Sequence, residues 1–159
     1  WLVARWGHET FPDEDHGLGN LTPIVDSPSD RGLDDEIFYE ITDIMKMLGQ
    51  CIEIANRVIS EKTIKFLRER SIHRDPTPQW LSMSRAHPRG VTIEGYPQKG
   101  ELAAGTMSLE ATLRHIYFEE ITHLYNIQRL KKAQGLQIVV DLPKVGYWTL
   151  DDWDRSEPT

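Results

Sequence analysis

HIYFEEITHLYNIQRLKKAQG, residues 115–135, sets two histidines and two glutamates inside a run with helical spacing. Leu109, Leu113, Ile116, Tyr117, Leu124 and Ile127 recur at three- and four-residue steps, which predicts an amphipathic helix. Ser108 is a good N-cap, Glu110 falls in the first turn, and Gly135 is the residue type found just past helix ends. The predicted helix therefore runs from Ser108 to about Gln134. On a wheel of ~100° per residue, Glu120 falls near the middle of the apolar face. His123 lies toward one rim, Glu119 further out and His115 furthest. These last three are four residues apart and form a row along one edge. A buried Glu120 would need a partner or a proton.

Working outward, Leu33 to Arg70 holds no proline and one glycine, Gly49. Ile37, Ile41, Ile44, Leu48, Ile52, Ala55 and Ile59 predict a second amphipathic helix over 34–70, ~55 Å long. Residues 71–107 are rich in Pro and Gly and read as a connector with one short extended piece, Val91–Ile93. Residues 1–33 read as the end of a helix followed by a turn-rich loop. Beyond Gly135 an extended arm ends in a tryptophan-anchored cap. The expected fold is all-α and four-helix-bundle-like: a single helical domain over 1–159 with a Pro/Gly-rich connector, an irregular C-terminal arm and an opening helix truncated upstream of Trp1.

Composition narrows the partners. The 159 residues carry a net charge of −7, and the basic clusters Arg68–Arg74 and Lys131–Lys132 sit at predicted helix ends. That argues against nucleic acid. A lone cysteine, Cys51, rules out an internal disulfide and falls on an apolar helical face, as a core thiol would. No apolar run approaches the ~20 residues that cross a bilayer, and no secretory signal opens the chain. A cytoplasmic setting is expected.

Imidazole and carboxylate together suit Zn, Ni, Fe or Mn better than Mg or Ca. Edge positions of amphipathic helices also hold His and Glu for solubility alone, so the row by itself leaves both readings open. A catalytic ion needs about three protein donors. Glu119 and His123 supply two. His8, in RWGHETF, is the candidate third, whereas His16, His73 and His87 stand beside Gly, Pro or Arg and are expected to be exposed.

The run SLEATLRHIYFEEITHLYNIQRLKKAQG, 108–135, resembles the last helix of the DinB/YfiT-like superfamily through Leu113, His115, Glu119, His123, Ile127, Arg129 and Gly135. WLVARWGHETF is loosely similar to the end of that family's second helix. The resemblance implies a four-helix bundle holding a divalent metal on His8, Glu119 and His123. Glu120 and Asn126 would orient the ligands or carry protons, and a low-molecular-weight thiol would attack a small electrophile. Tyr117 and Tyr125 would line the mouth or pack the core. Three other readings remain. A ferritin-like half-site, Glu120-x-x-His123 with Glu40, would hold two irons in a homodimer. A non-enzymatic helical subunit would dock a partner along Ile37 to Phe66. Glu40-x-x-Asp43 is a fragment of a pyrophosphohydrolase pattern whose E-x-x-E companion is missing.

Overall fold

The computed structural model describes residues 11, 24–26, 31–34 and 36–155. The chain divides into two compact units, residues 1–66 and 67–159, each described by itself.

In the first unit β1 (Ile24–Asp26) and β2 (Arg31–Leu33) pair antiparallel. Helix α1 (Ile41–Ser60) follows, and α2 (Ile64–Glu69) crosses the boundary between the units. The continuous helix expected over 34–70 is therefore two helices, and its first residues lie outside both. Asp34 explains the late start. Its carboxylate accepts from the Glu36 amide at 3.0 Å and its carbonyl from Phe38 at 2.8 Å, so it heads a local turn. Thr63 explains the break, because its hydroxyl accepts from the Phe66 amide at 3.1 Å and starts a new helix. Met47 and Val58 are buried on α1, with Phe38, Cys51, Ile54 and Ala55 packed about Met47. Cys51 is half-buried rather than enclosed.

The second unit overturns the all-α bundle. Strands β3 (Ser71–Thr77), β4 (Val91–Ile93) and β5 (Ala103–Ser108) form an antiparallel sheet in the order β3-β5-β4. The expected extended piece at Val91–Ile93 is β4, and the rest of the supposed connector supplies its neighbours and α3 (Trp80–Ala86). Ile72 pairs with Met107, Arg74 with Gly105, and Val91 and Ile93 with Met107 and Gly105, so these residues share one face. Ala103, Gly105 and Met107 are buried on it, and Trp80 and Met83 from α3 join Ala103 and Met107 in the core. A Cβ at Gly105 would stand 2.4 Å from the Thr92 carbonyl oxygen and 3.0 Å from the Trp80 ring. The glycine lets the indole lie on the central strand.

Helix α4 (Leu109–Ala133) follows β5 directly, with Ser108 as N-cap accepting from the Ala111 amide at 3.1 Å and Gly135 beyond its end at φ +72°. Its orientation departs from the expected one: Leu109 is buried as expected, but Leu113 and Ile116 are only half-buried and the rest of the predicted face turns outward. Ala111, Thr112, His115 and Thr122 are buried, while Tyr117, Glu120, Leu124 and Ile127 are exposed. Thr112 and Thr122 donate to the carbonyls of Ser108 and Phe118, which satisfies their hydroxyls inside the unit. A 3-10 turn, Gly146–Thr149, packs against α4 on this polar side.

Replacing Gly105 with Ala is expected to lower the stability of the protein by about 1–3 kcal/mol through overpacking. A urea titration followed by tryptophan fluorescence reads this; an unchanged midpoint would contradict the close approach of Trp80.

Candidate functional site

The polar side of α4 gathers groups from three distant segments. His87 closes α3 and is fully buried; His115 stands two turns into α4; Tyr147 sits in the 3-10 turn. The Tyr147 hydroxyl lies 2.6 Å from His115 Nδ1 and 3.1 Å from His87 Nε2. Phe118 stacks on the His87 ring at 5.1 Å, and Tyr147 meets both imidazoles edge to face. Gly146 makes the approach sterically available: its φ is +67°, and a Cβ there would lie 2.3 Å from Phe118.

One hydroxyl group bridges two imidazoles, and its single proton can be donated to only one of them, which fixes the tautomers. His87 Nδ1 is buried with no partner among the described residues. A bare lone pair there costs less than an orphaned N–H, so the His87 proton sits on Nε2 and is donated to Tyr147. Tyr147 then donates to His115 Nδ1, and the His115 proton occupies Nε2. Both rings are neutral. Burial, reinforced by Arg114 and Arg74, lowers the His87 pKa to about 4. Burial, reinforced by Arg74 and His87, lowers that of His115 to about 3. Burial likewise pushes the Tyr147 phenol up, with the Glu119 carboxylate adding to it. Arg74 reaches in from the core face of the sheet and places Nη1 3.4 and 3.3 Å from the sulfurs of Met83 and Met107.

Glu119 stands where this network meets solvent. Oε1 lies 3.8 Å from His115 Nδ1, and Oε2 lies 3.7 Å from Nε2 of the exposed His123. The first approach has ion-pair length but no ion pair, because His115 is neutral and its Nδ1 carries no proton. Burial raises the Glu119 carboxyl's pKa, Glu120 adds to this, and His123 and Arg74 oppose it. The sequence-derived row His115, Glu119, His123 is thus a row in space, grading from buried to exposed.

The other candidate residues fall elsewhere. His8 and His16 lie outside the described residues. Glu120, expected near the middle of a buried face, is exposed and needs no partner. Asn126 accepts from Arg129 at 3.1 Å, and Arg129 lies over the Trp148 ring. Tyr125 stacks on Trp148 at 4.3 Å and donates to the Leu142 carbonyl at 2.7 Å, so it fastens the C-terminal arm. Tyr117 is exposed. Glu40 and Asp43 belong to the first unit. His73 is exposed, as expected, and pairs with Glu94 at 3.0 Å. His87, expected to be exposed, is not. Reading AHPRG as the end of a helix, with Pro88 just past it, was the available signal. Nothing in the linear spacing marks Tyr147.

Comparison with protein-family models, with curated proteins and with solved structures finds no match. Among the described residues no helix is long and apolar enough to cross a membrane.

Two outcomes follow from the network. Tyr147→Phe leaves two buried imidazole nitrogens without their partner and is expected to lower stability by about 1–3 kcal/mol at pH 7.5. An unchanged urea midpoint would contradict the bridge. For pH, both histidines have folded values below the ordinary 6.5. Their contribution is complete above about pH 6.5 and is lost as pH falls toward 4 and then 3. Each histidine accounts for a loss on the order of 2 kcal/mol between pH 6.5 and 5. Glu119, shifted upward, has the opposite effect. Unfolding midpoints that stay level across this range would contradict the buried neutral pair.

Proposed function

We propose that the second unit acts on a small molecule at the Glu119–His123 edge of α4, as a transferase or hydrolase with a low-molecular-weight thiol as co-substrate. The observation supporting this reading is the setting of Glu119. Its carboxylate lies between an exposed imidazole and a buried neutral one, and burial raises its proton affinity. A carboxyl with raised affinity takes a proton from a thiol or water more readily than an ordinary one, which is the requirement for general acid–base catalysis. His123 connects it to solvent. The Tyr147–His115 hydrogen bond holds the wall behind it. A cytoplasmic setting belongs to the proposal, since small thiols are kept reduced there.

A divalent transition metal fits this edge in part. Glu119 and His123 offer oxygen and nitrogen donors on consecutive turns, while His115 Nδ1 is occupied by Tyr147. Among the described residues no three ligating groups converge. Zn, Ni, Fe or Mn held on Glu119 and His123 would need a further donor. The ion's chemistry there would be to lower the pKa of a bound thiol. The apolar strip exposed on α1 favours a second reading, a helical subunit that docks a partner without catalysis.

One comparison tests the proposal. Wild type, Glu119→Gln and His123→Ala are assayed for conjugation of a small thiol to an activated aryl halide, with and without added zinc or nickel. The wild type is expected to exceed background, and Glu119→Gln to lower its rate by about 100-fold. Dependence on added metal, lost in His123→Ala, would assign the ion to this edge. Equal rates for all three proteins would contradict the enzymatic reading.

A further inference from the structure

Three arginines from separate segments of the second unit gather at the start of α4. Two backbone hydrogen bonds bring the segments together. The Leu109 amide donates to the Arg70 carbonyl at 2.9 Å, which ties the end of α2 to α4. The Ser108 amide donates to the Gly90 carbonyl at 2.7 Å, which ties the loop after α3 to the same point. Gly90 permits this approach, because its φ is +84° and a Cβ there would lie 2.2 Å from Ser108 Oγ. Arg68, Arg89 and Arg114 are thereby placed about one carboxylate, Glu110.

Arg68 Nε donates to Glu110 Oε2 at 2.9 Å. Arg114 Nη2 lies 3.9 Å from Oε1, too far for a hydrogen bond, and is buried with no hydrogen-bond partner among the described residues. Arg89 is exposed and forms no hydrogen bond or ion pair among the described residues. The Arg68 hydrogen bond, with the charges of Arg68, Arg114 and Arg89, holds the Glu110 carboxyl below its usual range against an opposing effect of burial. Three guanidiniums thus face one carboxylate, in a chain whose net charge is −7. Glu69 and Arg70, beside Arg68, add one charge of each sign. Glu110 and Arg114 lie about 180° round α4 from Glu119 and His123, so this cluster is separate from that edge.

We propose that the cluster binds a phosphate group, free or as the monoester of a small molecule. Arg68 engages Glu110 through Nε alone, and its side chain is 56% exposed. The planar forks of Arg68 and Arg89 match phosphate oxygens, and Arg114 adds charge from its half-buried position. A phosphate dianion carries as much negative charge as the three arginines hold in excess of Glu110, and a carboxylate ligand carries half of it.

The test is a titration of the full chain at constant ionic strength, read from the arginine Nε–H resonances. Inorganic phosphate and phenyl phosphate are the probes, and acetate is the control. Saturable binding of one phosphate per chain is expected, with a millimolar Kd. Arg68→Gln and Arg89→Gln are each expected to raise that Kd about tenfold. Lys131→Gln, ~25 Å further along α4, is expected to leave it unchanged. Tighter binding of phenyl phosphate than of inorganic phosphate assigns the site to an ester, and the reverse order assigns it to free phosphate. Failure to saturate overturns the proposal, as does acetate binding as tightly as phosphate. So does a loss in Lys131→Gln equal to that in Arg89→Gln, which would mean charge without a site. Because Arg89 is exposed, Arg89→Gln keeps the test open even where Arg68→Gln fails to fold.

Discussion

One hydroxyl group bridging two imidazoles holds the second unit in its observed form. Tyr147 reaches His115 on α4 and His87 at the end of α3, so a single group ties together segments separated by 32 and 60 residues. Both histidines are buried, which disfavours their charged forms, so the bridge works only while both are neutral. The stacking of Phe118 on His87 and the absence of a side chain at Gly146 bring the tyrosine within reach. Tyr125, Arg129 and Trp148 then fix the arm a turn or two further along α4.

This bridge explains the unusual seating of α4. The helix buries the side that carries His115, Thr112 and Thr122: Tyr147 holds His115 there, and the two threonines can be buried because their hydroxyls donate to carbonyls one turn back in the same chain segment. Leu124, Ile127 and Leu130, in the second half of the helix, are left outward. Glu119 gains its setting from the same orientation. Had the apolar stripe faced inward, the carboxylate would sit at the outer rim and its proton affinity would not be raised by burial.

Much of the local structure was legible in the sequence, and its long-range arrangement was not. Ser108, Gly135 and the isoleucine spacing of 41–59 announce helix limits and an amphipathic run through local chemistry alone. The His115–Glu119–His123 row was legible too, since it follows from helical geometry. The sheet was hidden because its central strand, AAGTMS, is built of small residues chosen to admit Trp80, and β3 contains His73, Arg74 and Pro76. Such strands lack the β-branched alternation that periodicity detects. The inward face of α4 was misread for a related reason. Hydrophobicity predicts burial only where polar groups have no partner, and the partner here, Tyr147, lies in a stretch with no periodic signal. The resemblance read from the sequence is strongest over that one helix, and the antiparallel sheet overturns the all-α bundle expected from it.

The most direct test of this account is the protonation state of the two bridged histidines, read by long-range nitrogen–proton correlation on uniformly labelled protein at pH 7. Both rings are expected to be neutral with the proton on Nε2, and in Tyr147→Phe the His115 pattern is expected to lose its single fixed tautomer. An imidazolium at either position, or a proton fixed on His115 Nδ1, would contradict the bridge on which the fold and the Glu119 setting depend.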